Sequence, residues 1–178
     1  MDNIAIERFL HEVVKNLMNS RPDTYLINDK KTWTRLLTFA VAEAIETWKA
    51  SPGLRAAHRY TRDPWGSYEH DRRDVVGFSP DRPWADASVI VELENNCYYD
   101  RVQYDAWKLL TKHTEARFLY AYFGWRTQYK DFDALRKAVA EVHNDHKGKL
   151  LVLCGGLNKT ALKSNDDLLE YFSVHILS

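Results

Sequence analysis

The chain has 178 residues, 45% of them hydrophobic and with ten Tyr, seven Phe and six Trp, which suits a single domain (residues 1–178) with a substantial core. Its 25 basic and 25 acidic residues cancel, so bulk charge marks neither a nucleic-acid nor a membrane binder. A basic face offset by an acidic site remains compatible with that sum.

In chain order, Ile4, Phe9, Leu10, Val13, Val14 and Leu17 recur at helical spacing and predict an amphipathic helix over 4–18, ended by Ser20-Arg21-Pro22-Asp23. A second helix is predicted over 31–50 from the stripe Leu37, Val41, Ala44, Ile45 and Trp48, with Ser51-Pro52-Gly53 as its stop. The pattern then changes to period two. Leu54 to Asp63 reads as a strand, with Leu54, Ala56, His58 and Tyr60 alternating with residues such as Arg55 and Arg59. A polar and aromatic loop (64–71) leads to a short strand at Asp74 to Phe78. Ala87 to Glu94, rich in β-branched residues, is the strongest strand signal in the chain. These three strands are expected to form an antiparallel meander.

Asp100 to Glu115 reads as a helix, Arg117 to Phe123 as a strand, Phe132 to His143 as a helix and Leu150 to Cys154 as a buried strand. The last segment, Leu168 to Leu177, is expected to be a short helix passing into an edge strand. Helices, three strands, then helix, strand, helix and strand make a layered α/β domain, with the 4–18 helix as an addition to its core. Leu36 to Ile45, an apolar stretch interrupted by Thr38 and Glu43, does not amount to a membrane span. Met1-Asp2-Asn3-Ile4 lacks the basic-then-apolar order of a signal peptide, and Cys97 and Cys154 are not in metal-ligand spacing. A reducing, cytoplasmic setting is expected.

The chemistry concentrates on the strand at 87–94. Alternation puts Val89, Val91 and Leu93 on one face, and Ser88, Ile90, Glu92 and Glu94 on the other. Two glutamates at i and i+2 repel unless a positive group sits between them. Either they face solvent on a one-sided sheet, or they serve a divalent cation, with Asp74 on the neighbouring strand as a third carboxylate. Ile90 on the same face and Asn95-Asn96 beyond the strand favour the site.

Asp74 followed eighteen residues later by Glu92-Leu93-Glu94, with a glutamate-bearing helix before them, resembles the PD-(D/E)XK nuclease superfamily over about residues 31–123. That fold is a helix, three antiparallel strands, a helix and a further strand in a three-layer, restriction-endonuclease-like core. The resemblance implies a metal-dependent nuclease hydrolysing phosphodiester bonds, with DNA as substrate and Mg²⁺ or Mn²⁺ as cofactor. Asp74 and Glu92 would be metal ligands, with the Leu93 carbonyl as a further one, and Glu43, or secondarily Glu46, would be the first-helix glutamate. The sequence departs from the pattern at two places: Arg73 rather than proline precedes Asp74, and Glu94 stands where the motif lysine belongs. Some members of the superfamily carry glutamate there. Glu94 would then orient or deprotonate water, with Gln103 on the following helix reaching the site. Lys108, beside Trp107, reads as a surface lysine.

Arg55, Arg59 and Arg62, with Arg72 and Arg73 nearby and Tyr60, Trp65 and Tyr68 interleaved, could hold a phosphate backbone and stack on bases. The alternative is a charged surface loop offset by Asp63, Glu69, His70 and Asp71. His143, Asp145 and His146 at a helix end read as favourable C-terminal charge rather than a metal site. Cys154-Gly155-Gly156 lacks the remainder of a phosphate-loop motif and reads as a turn. A homodimer is expected only by analogy with enzymes that cut both strands, and no membrane partner is expected. The rival class is a non-catalytic module of the same fold that binds protein or nucleic acid, which the missing lysine and zero net charge favour.

Overall fold

The computed structural model describes residues 3–20, 30–48, 52–60, 74–81, 87–94, 99–111, 114, 116–122, 128–143, 150–155 and 172–177. The protein is a mixed α/β chain of four helices and six strands among those residues: α1 (Asn3–Asn19), α2 (Lys30–Glu46), β1 (Arg55–His58), β2 (Val75–Phe78), β3 (Val89–Glu94), α3 (Tyr99–Leu110), β4 (Ala116–Tyr122), α4 (Gln128–His143), β5 (Leu150–Gly155) and β6 (Phe172–Leu177). It packs as two compact units, Met1–Ile90 and Val91–Ser178.

In the first unit, α1 buries Phe9, Leu10, Val13, Val14 and Leu17, the face that its apolar spacing predicts. It packs on α2, whose buried stripe includes Trp33, Leu37, Val41, Ala44 and Ile45. A buried Asn16 ties the two helices, donating from Nδ2 to the Ala40 carbonyl at 3.3 Å. The Phe9 ring lies 5.2 Å from that of Trp48. Helix α2 stops at Glu46, four residues short of the expected end. Thr47 completes the last turn, its amide and its hydroxyl both donating to the Glu43 carbonyl, at 3.0 and 2.8 Å. The Trp48 amide reaches the Ile45 carbonyl at 3.3 Å, tightening the last turn. Gly53 then takes φ of 87°, a left-handed conformation that costs glycine little.

Strand β1 pairs antiparallel with β2, from Arg55 opposite Phe78 to His58 opposite Val75. It is shorter than the alternation predicts, because the chain turns at Arg59 and Tyr60; residues 61–63 lie outside the described set. Gly77 in β2 is a packing requirement. A Cβ there would come 2.6 Å from Cγ2 of Ile45 and 3.2 Å from Cβ of Val89, so only glycine lets α2 approach the strands this closely. The Ser88 amide donates to the Gly77 carbonyl at 2.9 Å, placing the entry to β3 beside β2.

The second unit is built on a mixed sheet in the order β3–β4–β5–β6, which β3 enters through Val91–Glu94. β4 and β5 are parallel, with Arg117 opposite Leu150, and β5 and β6 are antiparallel, with Leu150 opposite Leu177. β6 is an edge strand, as expected, whereas the short helix expected before it falls outside the described residues. Residues 116–121 of β4 are all buried, which marks a strand covered on both faces. Helix α3 packs on β4 and α4, burying Val102, Ala106, Leu109 and Leu110. Arg117, 1% exposed, donates from Nε to the Leu109 carbonyl at 2.9 Å and so satisfies one of the open carbonyls at the C-terminus of α3. Burial pushes its guanidinium pKa down.

Candidate functional site

Both faces of β3 are covered. Val89 to Leu93 are buried and Glu94 is half-buried, so Glu92 does not face solvent on a one-sided sheet. Its side chain is 2% exposed, and burying a carboxylate this far demands a compensating charge or hydrogen bonds. Helix α3 supplies one. Lys108 Nζ lies 2.8 Å from Glu92 Oε2 and 3.1 Å from Asp105 Oδ1, with Lys108 and Asp105 themselves 15% and 12% exposed. Asp105 and Lys108 sit three residues apart, about 60° around the helix axis, on the rim of the buried face formed by Val102, Ala106 and Leu109. Burial by itself would lower the Lys108 pKa. The hydrogen bonds and charges of Glu92 and Asp105 outweigh that, and hold the ammonium above its usual range.

The reading of Lys108 as a surface lysine is therefore corrected: its stem runs inward from the helix rim and its ammonium is shared by two carboxylates. Asp105 belongs to no motif in the sequence. The signal for both was their i, i+3 spacing beside the apolar stripe, and the need of Glu92 for a cation. Gln103, by contrast, is exposed on α3, about 140° around the axis from Lys108. Glu94 shares the Glu92 face of β3 by alternation.

In the first unit Asp74, just before β2, accepts from Arg59 Nη2 at 2.7 Å, with side chains 15% and 39% exposed respectively. Glu43 is exposed on α2, and Glu46 Oε1 accepts from the Ala56 amide at 3.3 Å, which joins the end of the helix to β1. Arg55 is exposed; Arg62, Arg72, Arg73, Trp65 and Tyr68 lie outside the described residues, as do Asp145 and His146. His58 is buried, its ring edge-on to Phe39 at 5.3 Å, and its Nδ1 accepts from the Tyr60 amide at 3.2 Å. Burial draws the imidazole pKa below its ordinary value, against the opposing pull of the Glu46 carboxylate.

Asp74 and Glu92 offer hard oxygen donors of the kind that Mg²⁺ and Mn²⁺ take. Each also has a cationic side chain at hydrogen-bond distance, and among the described residues no group of three or more His, Cys, Asp or Glu is placed to hold a metal ion. No described helix is long and apolar enough to cross a membrane. The chain matches no family model, no curated protein and no solved structure.

Proposed function

We propose that this chain is a metal-dependent nuclease with a restriction-endonuclease-like core, hydrolysing phosphodiester bonds of DNA. The observation that carries the reading is the pairing of Lys108 with Glu92 at 2.8 Å in a shielded setting. The motif that the sequence resembles needs a lysine near its second acid, and here Glu94 occupies the usual lysine position. A lysine reaching the same acid from α3 answers that need. The element order α2, β1, β2, β3, α3, β4 also agrees with helix, three-strand meander, helix and strand. In this reading Asp74 and Glu92 are each candidate ligands for Mg²⁺ or Mn²⁺, which would supply Lewis acidity and an activated water. Lys108 replaces Gln103 as the α3 residue that orients water and offsets charge on the phosphate, and Glu94 would orient or deprotonate water. Glu43 remains the α2 candidate, and Arg55, Arg59 and Arg62 the backbone contacts.

A second reading, a non-catalytic module of this fold that binds protein or nucleic acid, is favoured by a specific observation. Arg59 and Lys108 each already partner one of the two carboxylates, which is how such a protein could keep these acids without a metal. The two readings separate in one experiment. Supercoiled plasmid and single-stranded DNA are incubated with purified protein in Mg²⁺ or Mn²⁺, alongside calorimetric titration of the metal. The nuclease reading expects metal-dependent cutting that Glu92→Gln abolishes and Lys108→Ala reduces by two or more orders of magnitude, in line with a lost charge-stabilising group (about 10²–10³-fold). Wild-type protein that takes up neither metal and cuts neither substrate belongs to the second reading.

A further inference from the structure

The first unit carries a cluster that the Glu92 site does not use. On α2, Lys31, Arg35 and Phe39 follow one another at four-residue spacing and are all exposed, so they form one surface row. Phe39 is 39% exposed, unusual for a phenylalanine in a chain with this much buried apolar surface. The turn after β1 brings Tyr60 to it, ring centroids 5.6 Å apart and 34° between planes. The Arg35 guanidinium lies 5.6 Å from the Phe39 centroid and 5.8 Å from that of Tyr60. His58 closes the inner side, edge-on to Phe39.

This arrangement has a definite chemical character. Arg35 has no carboxylate partner among the described residues, and its ring contacts fix where the guanidinium sits. A guanidinium held against rings by its π-cloud keeps N–H groups for an oxyanion, and its fork matches a phosphate. The charge along α2 points the same way. Lys30, Lys31 and Arg35 occupy its first half and Glu43 and Glu46 its second, the reverse of what the helix dipole favours. That order does not serve helix stability; it sets Arg35 one turn before Phe39 on this row and the exposed Glu43 one turn after it.

We propose that Arg35, Phe39 and Tyr60 form a platform for an unpaired nucleotide of single-stranded nucleic acid, with the guanidinium on the phosphate and the exposed Phe39 ring under the base. A base inside a duplex offers its face to neighbouring bases and not to a protein ring, so the platform favours single strands. The inference rests on the reading of this chain as a nucleic-acid-binding protein, but not on hydrolysis.

The test is fluorescence anisotropy with a labelled oligo(dT) 20-mer and a 20-base-pair duplex, in EDTA so that no metal-dependent cutting occurs. Wild-type protein is expected to bind the single strand more tightly than the duplex. Phe39→Ala and Arg35→Gln each weaken single-strand binding about tenfold, while duplex affinity changes little. Phe39→Trp retains binding, and Arg35→Lys restores only part of it, because a point charge lacks the fork. All four substitutions are on exposed side chains, and thermal melts confirm equal folding before titration. Unchanged single-strand affinity in both Phe39→Ala and Arg35→Gln overturns the platform, as does equal binding of the two oligonucleotides by wild type or no binding of either. Metal-dependent cutting of DNA by wild type alongside any of these results would leave the nuclease reading standing and remove only the platform.

Discussion

The two units each hold an acid–base pair at nearly the same distance, and the pairs differ in almost everything else. Arg59 and Asp74 meet at 2.7 Å with side chains 39% and 15% exposed; Lys108 and Glu92 meet at 2.8 Å with 15% and 2% exposed. Distance alone would rate them equal. Burial separates them, because water screens and competes for the first pair but scarcely reaches the second. A buried pair is not a large net source of stability, since both charges had to leave water, yet breaking it on one side strands a charge where none is tolerated. The first pair is therefore adjustable, and the second is a structural commitment at the strand that carries the candidate chemistry.

The largest expected effect breaks the second pair. Lys108→Ala leaves Glu92 buried without its ammonium and should destabilise the protein by about 3–5 kcal/mol, read from urea unfolding at neutral pH. The double substitution Glu92→Leu with Lys108→Met should recover part of that loss, because an apolar pair of similar bulk removes the desolvation costs of Glu92 and Lys108 while Asp105 still loses its lysine. If Lys108→Ala unfolds at the wild-type midpoint, Glu92 is not held as the geometry implies and the contrast between the two pairs disappears.

Next comes the dependence of that pair on alkali. The Lys108 ammonium is held above the ordinary lysine value of 10.5 in the folded protein. A base whose folded pKa is raised contributes stability that is fully present below its unfolded value and is lost as pH rises through its folded value. The stability difference between wild type and the Glu92→Leu, Lys108→Met double variant should therefore stay constant from neutrality to about pH 10. Beyond that it should shift against wild type. Comparing two proteins with the same tyrosines and remaining lysines cancels their general alkaline titration. A difference that already drifts between pH 7 and 9 would mean that Lys108 is not stabilised in its charged form.

Much of this contrast was hidden in the sequence, for physical reasons. Helices α1 and α3 and strands β3 and β4 were legible because their apolar residues recur at the period of the element, although α3 stops at Leu110 and not at the expected Glu115. The apolar residues expected on the buried face of α1 from Phe9 to Leu17 are all buried, with the polar Asn16 among them. The end of α2 was not legible. Thr47 still makes the helical bond to Glu43, and the Glu46 contact with the Ala56 amide that joins the helix end to β1 has no sequence signature. Alternation placed Glu92 with Glu94 on one face, but a period of two cannot say whether that face is covered. Alternation marks the acid but not its partner. Lys108 lies sixteen residues on, beside an exposed Trp107, and only packing of α3 along the sheet turns its stem inward. Arg35 and Phe39 are not legible because a lone exposed phenylalanine has no sequence signature; the Tyr60 turn gives it meaning.

The smallest expected effect is at the first pair, where it tests the comparison from the other side. Arg59→Ala should cost only about 0.2–1 kcal/mol in dilute buffer, because Arg59 is already more than a third exposed and water can replace part of what it gives Asp74. Salt sharpens the distinction. At 1 M NaCl the screening length falls to about 3 Å, so the cost of Arg59→Ala should shrink towards zero while that of Lys108→Ala remains nearly unchanged. Matched urea titrations of wild type and both variants at low and high salt read this directly. A large, salt-insensitive loss in Arg59→Ala would place Asp74 in the same class as Glu92, and the two carboxylates would then have to be treated as equally committed to their cationic partners.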